Sequence, residues 1–126
     1  MTAEFSFARL IDAIVAGDPD SVRAAYHPDA VIWHNFDQIE QTVDENVATL
    51  EWFIRAMPER RYEDVIRHPI DGGLVQQHVV RGTAANGAEV ELPACLFVQV
   101  DDDGLITRID EYVDSTQAAV LSRTSP

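Results

Sequence analysis

The sequence has little cysteine, few basic residues and no long uncharged hydrophobic run. Cys95 is the sole cysteine, so no intrachain disulfide can form, and thiols cannot build a zinc cluster or a redox pair. This predicts a reducing, cytoplasmic setting. The amino-terminal stretch carries Glu4 and Asp12 and has no basic start, unlike a signal peptide or a membrane span. We therefore expect neither export nor membrane insertion.

Positive charge is scarce, because nine Lys and Arg residues stand against 22 Asp and Glu, for a formal net charge of −13. A nucleic-acid backbone or an anionic membrane surface would repel such a molecule, so we expect neither as a partner. Apolar residues make up 46% of the 126 positions, which is typical of a soluble globular protein with one hydrophobic core. One domain over residues 1–126 is expected.

The sequence opens with two predicted helices. Apolar residues recur at helical spacing over residues 4–16, and Gly17 is a typical helix stop. Asp18-Pro19-Asp20 combines an N-cap, a proline in the first turn and an acid near the positive end of the helix dipole. The second helix is expected to run to about Tyr26.

A short strand and a third helix complete the first half. Residues 30–33 are β-branched and aromatic between polar flanks, which predicts a strand. Thr42 and Glu45 have the spacing of a capping box. They precede a helical apolar pattern that Pro58 ends.

The second half has strand patterns separated by Asp71-Gly72-Gly73, Asn86-Gly87 and Asp103-Gly104, which are turn signals. They predict an antiparallel meander with strands at 62–68, 74–84, 88–100 and 105–114. We expect a short helix to Leu121 and then a frayed tail over residues 122–126.

Three helices followed by a meander predict an α+β fold, with the helices on one face of an antiparallel sheet whose concave side must be filled. We divide the domain into a helical part with the first strand at 1–58, the meander at 59–114, and a short helix and tail at 115–126.

The Asn86-Gly87 hairpin decides which side chains of its first strand face the concave side. A two-residue turn opposes Gln77 to Leu96 and puts Arg81 on the same face. A bulge in the hairpin would place His78 on that face instead. The sequence leaves both registers open.

Glu111 is the strongest functional signal in the chain. Alternation along the last strand puts it on one face with Ile109 and Val113. A carboxylate on an apolar face is costly unless it is paired, and burial raises its pKa toward the range useful for acid–base chemistry. We expect Glu111 to be a catalytic acid or base. A backbone contact, an Arg81 contact or a place in a dimer interface would be its structural alternatives.

His34 is the second catalytic candidate. It shares a face with Ile32 on the first strand and closes that strand at the expected cavity mouth. A neutral imidazole there could bind a substrate or exchange a proton with Glu111. Its structural alternative is to cap the following loop.

Ala16-Gly17-Asp18, Pro28-Asp29-Ala30 and the closing stretch 104–114, in this order of elements, resemble the SnoaL-like branch of the nuclear-transport-factor-two superfamily. The resemblance implies a cone-shaped, cystatin-like curved sheet wrapped over three helices around one apolar pocket, and a homodimer. Aldol-type cyclases and limonene-epoxide hydrolases of this superfamily place an acid where Glu111 stands. Ketosteroid isomerases place their base, an aspartate, where His34 stands.

The chain also departs from these relatives. The oxyanion tyrosine and second aspartic acid of the steroid isomerases would fall near Leu10 and Leu96, which cannot donate a hydrogen bond. Gln77 and Val79 stand where the epoxide hydrolases pair an arginine and an aspartate, unless Arg81 substitutes for that arginine. Since fold alone does not select an activity, the resemblance leaves the reaction open.

The sequence also suggests pocket contacts beyond the two catalytic candidates. Aromatic side chains at helical spacing usually pack in the core, but Tyr26 and Trp52 are also predicted to contact a substrate. The histidines lack the spacing of metal ligands, and phosphate-loop and nucleophile-elbow motifs are absent, so we expect neither a metal nor a cofactor. The predicted substrate-binding residues are Tyr26, Asn35, Trp52, Gln77, Arg81, Leu96 and Val113.

Two functional hypotheses follow. The first is a cofactor-free enzyme that moves protons on a small, mostly apolar or aromatic metabolite, as an isomerase, cyclase, dehydratase or hydrolase, with Glu111 and His34 as its acid–base pair. The second is a noncatalytic module of the same fold that binds a small ligand or pairs two subunits.

Overall fold

The computed structural model describes residues 2–124. The carboxyl-terminal helix runs to Thr124, three residues past the predicted end, and the end of the predicted frayed tail, residues 125–126, lies outside the described part. The helices are α1 (Ala3–Ala16), α2 (Pro19–Ala25), α3 (Val43–Ala56) and α4 (Ser115–Thr124), and the strands are β1 (Tyr26–His34), β2 (Glu40–Gln41), β3 (Glu59–Ile70), β4 (Gly73–Thr83), β5 (Glu89–Val100) and β6 (Ile106–Val113).

The predicted helix ends are confirmed. Gly17 closes α1 in the left-handed conformation, at φ 70°, where a residue without a side chain avoids the steric cost. The Asp18 side chain accepts a hydrogen bond from the Ser21 backbone amide at the start of α2. The Thr42 and Glu45 side chains form a reciprocal capping box at the start of α3. Local sequence therefore sets the helix boundaries.

The sheet has six strands in the order β2-β1-β6-β5-β4-β3. The predicted antiparallel meander of β3 to β6 is confirmed. β1 pairs with β6 in parallel, so the first strand of the chain lies beside the last one in the sheet. β1 is nine residues long, more than twice the predicted length, and β2 was not predicted. The fold is mixed α+β, as expected.

The β4–β5 hairpin takes the second of the two registers that the sequence leaves open, one residue away from the register of a two-residue turn. Gln77 pairs with Cys95, and Gln76 pairs with Leu96. The Ala84 amide donates to the Ala88 carbonyl oxygen at 2.8 Å, which leaves three loop residues ending at Gly87, at φ 87°. A three-residue loop that closes on a left-handed glycine is a common alternative to the two-residue turn.

This register exchanges the inner and outer residues of β4. Its side chains at Gln76, His78 and Val80 are buried, whereas Gln77 is exposed. α1 packs against β3, β4 and β5, and α3 packs against β1, so both helices cover the inner face. No helix within residues 2–124 is long and apolar enough to span a bilayer.

Candidate active site

Four neighbouring strands put a row of side chains on the inner face of the sheet. Gln76 of β4 pairs with Leu96 of β5, Leu96 pairs with Glu111 of β6, and Glu111 pairs with His34 of β1. Directly opposite residues share a face. Glu111 therefore faces inward, as the alternation along β6 predicts, and its side chain is only 23% exposed.

Glu111 and His34 are in direct contact. His34 Nε2 lies 2.9 Å from Glu111 Oε1, and the His34 side chain is 10% exposed. Burial by itself lowers the pKa of His34, but the hydrogen bond and the negative charge of Glu111 outweigh it, so this pKa lies above its ordinary value of 6.5. Near neutral pH the pair can hold a shared proton, which suits acid–base chemistry.

A second polar group stands on the other side of the inner face. The Arg67 Nε donates to Gln76 Oε1 at 2.7 Å, and Gln76 Nε2 lies 2.8 Å from His78 Nδ1. The Tyr62 ring packs edge-on against His78, with centroids 4.9 Å apart. Burial lowers the pKa of His78; the charge of Glu111 opposes this shift and that of Arg67 adds to it. His78 is thus favoured in its neutral form.

Two tyrosines complete the polar part of the site. Burial first, and then the negative charge of Glu111, raise the pKa of Tyr26 and of Tyr62 above their ordinary value, so both hydroxyls stay protonated. The Tyr26 hydroxyl donates to Asn46 Oδ1 at 2.8 Å. Asn46 in turn donates to Gln41 Oε1 at 3.1 Å, which ties α3 to β2 beside the cavity.

These groups line one cavity between the helices and the sheet. Its volume is about 60 Å³, roughly that of two water molecules in the liquid. Ile11, Leu50, Tyr62 and Glu111 are its partly exposed members, so we place its mouth beside them. The lining residues are Phe7, Leu10, Ile11, Ile14, Tyr26, Ile32, His34, Asn46, Leu50, Tyr62, His78, Leu96, Ile109 and Glu111.

Of the residues predicted to form the site, the structure brings together Glu111, His34, Tyr26 and Leu96. The expectation that Gln77 and Arg81 face the cavity is wrong, because the observed register turns both outward. Arg81 there contacts the carboxylates of Glu63, Asp64 and Glu91.

The remaining predicted contacts also lie outside the cavity lining. The Asn35 side chain exchanges hydrogen bonds with the Val113 backbone at 2.9 and 3.3 Å, which fastens the end of β1 to β6. Trp52 is half-buried and packs against the core. A substrate role for these three residues stays a prediction.

Sequence reasoning missed Asn46 and Tyr62 and left His78 as an alternative. Asn46 did carry a signal, because it interrupts the apolar stripe of α3 beside Val43 and Val47, where a polar side chain needs a partner. His78 depended on the length of the hairpin loop, which Asn86-Gly87 alone does not fix.

Within residues 2–124, no cluster of three or more His, Cys, Asp or Glu side chains could hold a metal ion. The expected absence of a metal and of a cofactor stays a prediction.

Residues 7–109 match the SnoaL-like domain family. The chain belongs to this family. The match covers all strands but the end of β6, so Glu111 lies just beyond its last residue. No curated protein sequence matches the chain significantly.

Solved structures with the same fold come from bacteria and a fungus. A candidate polyketide cyclase from Pseudomonas putida KT2440 superposes with a TM-score of 0.81 at 22% identity, over 96% of this chain and 98% of the other. A candidate isomerase from Bacillus subtilis gives 0.83 at 11% identity, over 98% and 94%. PrhC from Penicillium brasilianum NBRC 6234 gives 0.80 at 15% identity, over 98% and 89%. At these identities the likeness concerns the fold.

Proposed function

We propose that this SnoaL-like protein is a cofactor-independent enzyme that moves protons on a small, mostly apolar metabolite. The supporting observation is the 2.9 Å contact between Glu111 and His34 inside a cavity lined mainly by apolar side chains. A carboxylate–imidazole pair shielded from water can accept a proton from a substrate and return it. Isomerisation, cyclisation, dehydration and water addition can all use such a pair.

The contact between Glu111 and His34 suggests separate roles for the two oxygens of the Glu111 carboxylate. His34 holds Oε1 of Glu111, and we assign the second oxygen, Oε2, to the substrate. Glu111 takes a proton from a substrate carbon or oxygen and becomes neutral, and it then returns the proton to a different atom. The His34 contact orients the carboxylate and balances its charge before the transfer.

The size of the cavity restricts the substrate. About 60 Å³ is well below the roughly 300–1,000 Å³ of sites that take drug-sized ligands. A metabolite larger than a few heavy atoms enters only if side chains at the mouth turn aside, and Ile11 and Leu50 are the apolar groups there. We therefore propose a small substrate, with the two helices α1 and α3 forming the movable side.

A substrate panel with one variant pair tests the proposal. Small ketones, enones and epoxides are incubated with the protein in D₂O, and proton exchange and product formation are followed by NMR. Glu111→Gln is expected to lower the rate about 100- to 10,000-fold, the usual contribution of a general acid or base. Asp110→Asn is the matched control, since this neighbouring acid pairs with Arg108 on the outer face. Equal rates for wild type and Glu111→Gln would remove Glu111 from the mechanism.

A noncatalytic ligand-binding module is the second candidate, favoured by the apolar lining of the cavity. A binder is stabilised by ligand without consuming it. A thermal-shift screen of small apolar and aromatic metabolites, followed by NMR of the recovered ligand, separates the two candidates, since an unchanged ligand that raises the melting temperature indicates binding alone.

We also propose that the protein is a cytoplasmic homodimer, with the outer face of the sheet as its interface. Trp33, Phe97 and Tyr112 stack edge-on there, with centroid distances of 5.3 and 6.4 Å. Phe97 is 44% and Tyr112 is 47% exposed. Exposed aromatic clusters of this kind are typical of protein interfaces.

A further inference from the structure

One arginine of β3 connects the ends of two helices. The Arg60 guanidinium donates to the Ile14 and Val15 carbonyl oxygens at the end of α1, at 2.8 and 3.1 Å. It also donates to the Met57 and Pro58 carbonyl oxygens just after α3, at 3.1 and 3.4 Å. Carbonyl groups at the end of a helix lack their usual partner in the next turn, and arginine carries its N–H donors in a planar fork. A single side chain therefore supplies donors to both helix ends.

The two helices are otherwise held mostly by other elements. α1 and α3 each pack on α2 and on the sheet, and within residues 2–124 they lie close to each other along little of their length. The guanidinium is closely seated against the turn after α1, because its Nη2 atom lies 3.0 Å from the place of a Cβ atom on Gly17. Arg60 is nonetheless only partly buried, so water can replace a carbonyl oxygen that it releases.

The same three elements border the mouth of the cavity. Ile11 of α1, Leu50 of α3 and Tyr62 of β3 are partly exposed lining residues there. Arg60 stands two residues before Tyr62 and therefore on the same face of β3. Its partner Ile14 lines the cavity and lies about one helical turn after Ile11. Arg60 thus joins the two helices and the strand at one edge of the mouth.

The width of the mouth depends on these hydrogen bonds. The side chains of Ile11 and Leu50 can turn aside while both helix backbones stay in place, which admits a ligand of a few heavy atoms. A larger ligand needs α1 to move away from α3 and β3. Because one guanidinium cannot span a wider gap, Arg60 must then release the carbonyl oxygens of one helix.

We propose that Arg60 sets the upper size limit of the ligands that this cavity admits. While Arg60 holds both helix ends, only small ligands enter; a larger one enters after water replaces Arg60 at the α1 carbonyl oxygens and α1 swings outward. Arg60 is a positioning residue, because it acts on the ligand through α1. The proposal rests on the proposed function only in taking the cavity as the place where the ligand binds.

Two apolar probes of different size test this limit. Xenon is a single atom and toluene has seven carbon atoms, and neither forms hydrogen bonds with the polar groups of the cavity. Arg60→Met is expected to raise the affinity for toluene at least tenfold, because the open form becomes more populated and apparent affinity follows the competent fraction. The affinity for xenon is expected to change less than twofold. NMR titrations with ¹²⁹Xe and with toluene measure both dissociation constants.

The size dependence separates this role from a general effect on packing. A looser core would change the binding of both probes, whereas release of the helix ends changes that of toluene alone. Equal changes for the two probes would overturn the proposal. So would equal toluene affinity in wild type and Arg60→Met, or no toluene binding by this variant up to the solubility limit.

Two further variants test the bridging geometry. Arg61→Met is the matched control, since this neighbouring arginine pairs with Glu59 and Glu63 instead, and it should bind both probes as wild type does. Arg60→Lys keeps the positive charge but lacks the fork that reaches two helix ends, so its toluene affinity should also rise. A lysine variant that behaves as wild type would overturn the proposal, and this variant carries the test if Arg60→Met does not fold.

The size limit and the proposed proton transfer fail separately. If Arg60→Met admits toluene while Glu111→Gln leaves proton exchange in D₂O unchanged, the proton-transfer function fails and the size limit stands. If Glu111→Gln slows exchange but toluene binds wild type and Arg60→Met alike, the size limit alone fails.

Discussion

The cavity has two walls, and each is built around a buried histidine with a different partner. On the β1–β6 wall, His34 contacts the carboxylate of Glu111 at 2.9 Å, and its pKa is raised. On the β3–β4 wall, His78 is held by the amide of Gln76, and its pKa is lowered. The same side chain thus favours a charged form on one wall and a neutral form on the other, because the neighbouring group decides which form the fold stabilises.

This difference gives one small cavity two histidines with opposite preferences for charge. The His34 wall carries the groups that gain and lose charge. The His78 wall carries a donor that keeps its proton. Pairs of titratable groups whose environments separate their pKa values are a general feature of acid–base active sites.

The largest stability effect is expected on the His78 wall and separates two adjacent glutamines. Gln76→Leu leaves the buried Nδ1 of His78 without its donor, so the free energy of unfolding should fall by about 1–3 kcal/mol. Gln77→Leu changes an exposed outer side chain, and it should alter the unfolding free energy by less than about 0.5 kcal/mol. Urea denaturation measures both. Similar losses for the two variants would contradict the observed register and the distinct character of this wall.

A somewhat smaller effect is expected on the outer face of the sheet, which belongs to neither wall of the cavity. Phe97→Ser removes an aromatic ring from the outer face and should weaken the proposed dimer about tenfold, or about 1.4 kcal/mol. Phe5→Ser is the control, since Phe5 is 53% exposed on α1, away from the sheet. Sedimentation equilibrium gives the dissociation constants. A wild-type protein that is monomeric at micromolar concentration would reject the dimer and leave the comparison of the walls unchanged.

The smallest expected effect is the pH dependence of stability, which has opposite signs on the two walls. The pKa of His34 is raised in the fold, so its contribution is complete below about 6.5 and is lost as pH rises through the folded-state pKa. The pKa of His78 is lowered, so its contribution is present above about 6.5 and is lost as pH falls through the folded-state pKa. The folded-state pKa of His34 lies above 6.5, and that of His78 lies below it.

Two substitutions read these contributions separately. His34→Gln keeps a donor for Glu111 but removes the titration, so the loss of stability above pH 6.5 should become shallower. His78→Leu should make the loss below pH 6.5 shallower. Urea midpoints across this range measure both slopes. The two-wall description would be wrong if either variant reproduced the wild-type profile.

The sequence predicted the His34 wall better than the His78 wall, for a physical reason. Alternation along a strand fixes which residues share a face without reference to any partner strand, so the inward position of Glu111 followed from its neighbours Ile109 and Val113 alone. His78 required the register between two strands. That register depends on one extra loop residue, and a shift of one residue exchanges the two faces of the strand.

The helices and the first strand show the same difference between features set by local sequence and features set by distant strand pairing. Capping by Thr42 and Asp18 is local, and both caps are as predicted. The extent of β1 is not local. Pro28 lies inside β1, but in the irregular stretch between the Tyr26–Ile106 and Val31–Arg108 pairs with β6, and proline is tolerated in a strand at such a bulge.

The most direct test of the two-wall account is an NMR titration of the histidine side chains in wild type and Glu111→Gln. In the wild type, His34 should titrate above pH 6.5 and His78 below it. In Glu111→Gln, the pKa of His34 should fall, since the charge that raises it is gone. The account would be contradicted if both histidines titrated with one common midpoint, or if the titration midpoint of His34 were the same in wild type and Glu111→Gln.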